Sequence, residues 1–247
     1  MDRLIYSSLA AMRGAMSRQA TIGNNLANVN TAGFRGEVTH AQAMWLSGKG
    51  LDTRATVSGE VSGADMSAGA VMATNRSLDV AVDGDAMLTV QAADGSEAYT
   101  RRGDLQMSDS GLLTTGDGKV VMGEGGPITL PPYDSLSIGK DGTVSIVPVG
   151  GKAQDVQVVD RLKLVSPKGS QIAKGLDGLF HEISGGTLPA DPDAKVTGGS
   201  LEGSNVNASS ALIDMIDASR SWETQVKMLS TAQELDKSAA DLMRLPD

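Results

Sequence analysis

The residues that could perform chemistry are few in this chain, and their spacing does not combine them. There is no cysteine, which excludes disulfides, cysteine-based metal sites and thiol catalysis. The two histidines, His40 and His181, stand far apart in sequence, and neither has a serine or aspartate at a spacing typical of a catalytic triad. Carboxylates are plentiful, but no pattern places two of them around a cleft. We therefore predict a protein that is not an enzyme and has no metal ligands or cofactors.

Several glycine-rich stretches resemble binding loops but do not complete the known motifs. Residues 83–85 and 117–118 lack the spacing and the final glutamate of a calcium-binding EF-hand loop. Residues 116–118 and 123–126 do not complete G-x-G-x-x-G, and residues 47–50 lack the flanking residues of a phosphate-binding loop. These stretches are interpreted as hairpin turns, and no small-molecule substrate is predicted.

The overall charge also limits the possible partners. The chain has 21 Lys and Arg against 30 Asp and Glu, for a net charge of −9, and no basic cluster stands out. Nucleic acid is therefore not a predicted partner. No stretch approaches the roughly 18–20 apolar residues needed to cross a bilayer. The N-terminus lacks the pattern of a cleaved signal peptide, which fits either a cytoplasmic protein or one exported without cleavage.

The elements that must carry the function are two amphipathic helices at the ends of the chain. In residues 1–30, apolar side chains recur at helical spacing, and Asn30 and Gly33 favour a helix stop. In residues 206–244, the series 215–222–229 and 212–219–226 are heptads, the spacing of a seam between helices. Asn207 or Ser209 can cap the second helix at its start, and Pro246 ends it.

The middle of the chain has a different pattern. From residue 71 to residue 205, short runs rich in Val, Leu, Ile and Thr alternate with Asp-Gly and Ser-Gly turns, which predicts an antiparallel β domain. Residues 31–70 are predicted to form an extended connector. The predicted fold is α+β, with residues 1–30 and 206–247 forming a coiled-coil-like helical domain. Because one small β domain cannot cover both helical stripes, the helices must pair with each other, with other copies or with other chains.

Three sequence boxes resemble those of a known family. Residues 24–35, NNLANVNTAGFR, resemble the N-terminal signature of the flagellar rod and hook proteins, with Gly23 where the family often has alanine. Residues 202–207, EGSNVN, are similar to the family's C-terminal box. Residues 78–85 and 98–104 resemble its central core, although residues 86–88 lack the usual aromatics. The boxes occur in the family's order and span nearly the whole chain.

The resemblance implies a structural subunit of the bacterial flagellar basal-body rod. Such a subunit would leave the cytoplasm through the flagellar type III export apparatus and assemble in the periplasm with other copies and with other rod proteins. Residues 1–6 and 123–128 are most similar to the proximal-rod branch, with the distal-rod branch as the alternative. A non-flagellar binding module or adhesin on a helical stalk is the competing hypothesis.

Periodicity and resemblance together predict an assembly interface, through which the subunit would polymerise and transmit torque from motor to hook. Its residues are Ile5, Leu9, Met12, Met16, Ile22, Asn24, Asn25, Leu26, Asn28, Val29, Gly33, Phe34, Leu212, Met215, Ile216, Trp222, Val226 and Leu229.

Overall fold

The computed structural model describes residues 2–45, 55–152 and 154–243, and side-chain environments for 8–39, 63–152 and 154–242. The chain divides into two compact units. Unit 1 comprises Met1–Ala27, Glu37–Gly63 and Asn207–Asp247, and unit 2 comprises Asn28–Gly36 and Ala64–Val206. The described part is α+β with antiparallel pairing in its larger sheets, as the sequence predicted.

Unit 1 contains both helices, α1 (Asp2–Ala27) and α2 (Ala208–Met243), and the two-stranded sheet of β1 (Glu37–Trp45) and β2 (Ala55–Ala64). Within this unit, α1 contacts both α2 and β1. The buried residues of α2 are alanines, Ala211, Ala218 and Ala232. The packed face of α2 therefore has small side chains at its buried positions, and these allow a neighbouring backbone to approach closely.

The predicted coiled-coil pair of long terminal helices is wrong. The N-terminal helix is short, with 26 residues, and ends at Ala27, after which the Thr31 amide donates to the Asn28 carbonyl at 3.1 Å in a turn. The larger apolar side chains that should fill a seam, Leu212 and Val226, are about half-exposed, while alanines are buried. A coiled-coil seam needs large apolar knobs at its buried positions, and α2 has them elsewhere.

Residues 31–70, predicted to form an extended connector, include β1 and β2, which pair with each other in a sheet of their own. Strand β1 is supported locally by α1. The side chain of Asn25 bonds both backbone groups of Glu37, the first residue of β1.

Unit 2 is built on a nine-stranded antiparallel sheet. Its main order is β15 (Ile172–Lys174), β16 (Phe180–Glu182), β6 (Glu97–Thr100), β5 (Met87–Gln91), β9 (Val120–Gly123), β8 (Leu113–Thr115) and β7 (Leu105–Met107). Two short strands join it at the side: β10 (Gly126–Pro127) pairs with β9, and β14 (Leu164–Val165) pairs with β5.

Three smaller sheets complete unit 2. A three-stranded sheet contains β11 (Tyr133–Ile138), β12 (Thr143–Pro148) and β13 (Gln157–Arg161). Two pairs join the early and late parts of the chain: β4 (Val80–Val82) with β17 (Val196–Gly198), and β3 (Val71–Ala73) with β18 (Ser200–Glu202). The last strand of unit 2 therefore pairs with its first.

Strand β5 lies between two hydrophobic clusters because its side chains alternate. Leu88 and Val90 point into the larger cluster, whereas Met87 packs with Tyr99 and Phe180 in the smaller one. Burial raises the pKa of the Tyr99 hydroxyl, whose oxygen accepts a hydrogen bond from the Leu188 amide at 2.6 Å. The glycines of the predicted Asp-Gly and Ser-Gly turns at 84, 95, 111, 118 and 142 all have a positive φ.

Candidate assembly interface

The predicted interface residues of α1 differ in their exposure. Leu9 and Met16, seven residues apart, are exposed, at 42% and 57%. The side chains of Met12, Ile22 and Leu26 are half-buried, as are those of Asn28 and Val29 just beyond the helix, and the side chain of Ile5 lies outside the described residues. The structure therefore leaves part of the predicted stripe uncovered in the single chain.

On α2 the predicted residues fall into two sets. Met215, Trp222 and Leu229 are half-buried, close to the alanine face. Leu212, Ile216 and Val226 are exposed, and we call these three flank A. At about 100° per residue, they lie within an arc of roughly 80°.

Sequence analysis missed a second exposed apolar surface on α2. It consists of Met228, Leu235 and Leu242, which we call flank B, and each is exposed by 44% or more. These residues are spaced by seven and lie within an arc of roughly 40°. Ile213, 60% exposed, lies between the two flanks near the start of the helix. The spacing of seven was available in the sequence, but the weaker C-terminal pattern concealed it.

The two flanks lie on opposite sides of the buried alanine face of α2, roughly 90–130° from it in each direction. A helix that is packed on one face and apolar on both sides of that face has surface for two further neighbours. Clustered exposed apolar side chains of this kind mark interaction surfaces. The geometry of α2 is therefore that of an element placed between neighbours.

The two asparagines of the N-terminal box form hydrogen bonds within unit 1. The Asn25 side chain accepts from the Glu37 amide at 2.8 Å and donates to the Glu37 carbonyl at 2.9 Å, as a neighbouring strand would. Asn24 Nδ2 donates to Glu37 Oε1 at 2.8 Å. Only a carboxamide supplies a donor and an acceptor together in this way, which explains the need for asparagine.

Gly33 and Phe34 lie inside unit 2. Gly33 has a φ of +65°, and its amide donates to the Glu202 carbonyl at 2.7 Å. The Lys174 ammonium stands 4.0 Å from the centroid of the Phe34 ring and also donates to the Arg35 carbonyl at 3.0 Å. These contacts fix residues 33–35 on the β unit.

A buried ionic cluster joins the three sequence boxes, and sequence analysis did not identify it. Glu202 accepts from Arg35 Nη2 at 2.7 Å and from Arg101 Nε and Nη2 at 2.9 and 2.6 Å. All three side chains are at most 3% exposed. Arg101 also donates to the carbonyls of Val82, Gly84 and Ala86. Burial lowers the pKa of the Arg101 guanidinium, and the Glu202 carboxylate opposes that shift. Each charged residue belongs to one of the three family boxes, which was the available signal.

The start of α2 is defined by Asn207, one of the two predicted caps. Its Oδ1 accepts from the amides of Ser209 and Ser210 at 3.0 and 3.1 Å. Asn207→Ala is expected to destabilise the first turn by about 0.5–2 kcal/mol, because two amides lose their acceptor. Hydrogen exchange at Ser209 and Ser210 measures the effect. Asn207→Ser, which keeps a capping oxygen, should preserve protection; equal exchange in both variants would contradict the assignment.

Within the described residues, no group of three acidic or histidine side chains is placed to hold a metal ion. Neither α1 nor α2, over its described part, is long and apolar enough to cross a membrane.

Comparison with known proteins yields matches along the chain. Three family models match: "Flagella basal body rod protein" at residues 5–35, "Flagellar hook protein FlgE/F/G D1 domain" at 81–146 and "Flagellar basal body rod FlgEFG protein C-terminal" at 197–242. The chain is 41% identical to the flagellar basal-body rod protein FlgF of Escherichia coli, over 99% of this chain and 100% of that protein. It is 40% identical to FlgF of Salmonella typhimurium and 35% identical to FlgG of Bacillus subtilis, with the same coverage.

Proposed function

We propose a specific mode of assembly for this chain, on the premise that it belongs to the flagellar basal-body rod protein family. It is a structural component of the rod in the flagellar basal body. The family is one of structural proteins rather than an enzyme class. What remains to be proposed is how the subunit attaches to its neighbours.

The proposed attachment uses the terminal helices, and the observation that supports it is the pair of exposed flanks on α2. Flank A spans residues 212–226 and flank B residues 228–242, so we assign their contacts to different neighbours. Contacts between unlike surfaces of identical subunits are head-to-tail and generate an open helix unless rotation closes them. A rod is such an open assembly.

Burial of the exposed flank residues would stabilise an assembly of subunits. Fully burying an exposed Leu, Ile, Val or Met side chain contributes about 1.5–3 kcal/mol, and a side chain that is already half-buried gains roughly half of that. The six flank residues together, with Leu9 and Met16 of α1, therefore provide a substantial driving force that is unused in the single chain. Other residues of the predicted interface are proposed to position the exposed ones. Asn24 and Asn25 hold the end of α1, and Gly33 and Phe34 hold the chain beyond it.

The proposed partners are other copies of this chain and other rod proteins above and below it, which transmit torque together. Delivery through the flagellar type III export apparatus is part of the proposal. The proposal of a proximal position in the rod is supported by the 41% and 40% identity to two FlgF proteins over nearly the whole chain. Locating the chain in isolated basal bodies distinguishes this position from the distal alternative.

The experiment is to locate the chain in isolated basal bodies. A tag inserted at the exposed turn around Gly185 in unit 2 would be seen as added density in cryo-electron microscopy maps, with untagged basal bodies as the control. The proposal expects extra density around the rod, close to the motor. Density near the hook would indicate a distal position. A chain absent from the rod, or one forming discrete oligomers in solution, would contradict the proposal and favour a stalk-mounted binding module.

A further inference from the structure

The ionic cluster of unit 2 gathers segments that are remote in sequence. Residues 28–36 and 64–70 both meet the segment 200–206, and the Arg35–Glu202 bond spans 167 positions. The Gly69 amide donates to Glu202 Oε1 at 2.9 Å, and the Gly203 amide donates to the Ala70 carbonyl at 2.8 Å. The two early segments therefore both bond to the Glu202 carboxylate of the late one.

Asn205 adds a second set of bonds to the same segments. Its Oδ1 accepts from the Gly36 amide at 2.8 Å, and its Nδ2 donates to the carbonyls of Asp65 and Ser67 at 2.8 and 3.1 Å. The Asp65 amide in turn donates to the Gly36 carbonyl at 2.7 Å. Residues 36 and 65 are thus held next to each other by a side chain from the end of unit 2.

Glu202 is the carboxylate that both buried arginines of the ionic cluster contact. Two guanidinium groups are buried against one carboxylate, and each raises the electrostatic cost of burying the other. Among the described residues, Arg35 Nε and Nη1 have no hydrogen-bond acceptor, so Glu202 is the partner that Arg35 has through its remaining nitrogen. Without that carboxylate, docking residues 33–36 would bury an unpaired cation beside Arg101, which is strongly unfavourable.

We propose that Glu202 is the lock of unit 2: residues 28–36 and 64–70 dock onto the β unit only after the last segment, 200–206, has taken its place. The larger hydrophobic cluster, to which Leu88 and Val90 of β5 belong, contains no residue of these segments and can form first. Unit 2 would therefore close at its end, with its N-terminal segment held undocked until then. This order of folding concerns the single chain and does not depend on the proposed mode of assembly.

The test is pulse-labelled hydrogen exchange during refolding of the full-length chain. The Thr89 and Leu113 amides, bonded to the carbonyls of Lys163 and Ile128, report the core. The Gly33 and Gly69 amides report the lock. We expect Gly33 and Gly69 to become protected after Thr89 and Leu113. Protection of Gly33 before the core amides or together with them would overturn the inference.

A variant separates the lock from general stability. Glu202→Gln keeps the shape and removes the charge, and we expect native-state exchange at Gly33 and Gly69 to accelerate about 100-fold, with a change of less than about three-fold at Thr89 and Leu113. Glu124→Gln, the same change at an exposed glutamate, should alter neither. A uniform effect at all four amides, or none, would overturn the inference.

If Glu202→Gln does not fold, Arg35→Met provides the test of the inference. It leaves the Arg101–Glu202 pair intact, so exchange should accelerate at Gly33 while Gly69 and the core stay protected. An unchanged Gly33 amide would overturn the inference. Because these measurements use the purified chain, their failure is distinct from a failure of rod assembly.

Discussion

Val226→Asp is expected to abolish incorporation of the chain into the rod while unit 2 still folds. Val226 belongs to flank A, and its side chain is 44% exposed in the single chain, so the substitution costs the isolated subunit little. In an assembled layer the carboxylate would be buried without a partner, at a cost of several kcal/mol per subunit. Since every copy carries the same defect, the effect should prevent polymerisation.

The measurement is motility together with the recovery of the chain in purified basal bodies, with hydrogen exchange of the Thr89 and Leu113 amides as the test of folding. Ser238→Asp is the matched control, because Ser238 is exposed on the same helix outside both flanks. Leu235→Asp should reproduce the defect through flank B. Normal basal bodies containing Val226→Asp would show that flank A does not form the interface.

The successes of sequence analysis concern features that are encoded locally. The Asp-Gly and Ser-Gly pairs predicted turns, and Gly84 and Gly118 have the positive φ that such turns require. The antiparallel β character followed from short alternating runs between these turns. The cap at Asn207 was one of two candidates, and the choice depended only on which oxygen reaches the next amides.

The error on the helices arose from giving weight to large apolar residues. Heptad spacing of Leu212 and Val226 suggested a seam, but the face of α2 that is buried carries Ala211, Ala218 and Ala232. Alanine contributes little to a hydrophobic pattern, although it permits the closest packing between helices. The exposed Leu212 and Val226 are proposed to meet neighbouring chains, and a single sequence does not distinguish such residues from those buried within the chain.

The ionic cluster could not be derived from spacing, because its members are far apart in the chain. Arg101 and Glu202 are separated by 101 positions, and no local pattern connects them. The family boxes contained all three charged residues, but resemblance indicated only that these positions matter. The physical reason, one buried carboxylate between two buried arginines, requires the fold that brings β3 and β18 together.

Gly33→Ala is expected to destabilise the docked form of unit 2 by about 2–5 kcal/mol, because two costs combine at this position. A non-glycine residue at a φ of +65° is strained, and a Cβ atom at residue 33 would lie 2.2 Å from the Arg101 carbonyl oxygen. That oxygen is backbone, so it cannot move aside as the end of a flexible side chain could. Urea unfolding, followed by circular dichroism and by exchange at Gly69, measures the loss.

Two other glycines separate these costs. Gly84 has a φ of +62°, and a Cβ atom added there would meet nothing within 4 Å, so Gly84→Ala should show the conformational cost alone, about 1–2 kcal/mol. Gly23 lies in α1 with open space around it, and Gly23→Ala should be neutral or stabilising by up to about 1 kcal/mol. If Gly33→Ala were no more damaging than Gly84→Ala, the close approach of residue 33 to the Arg101 carbonyl would add no cost of its own.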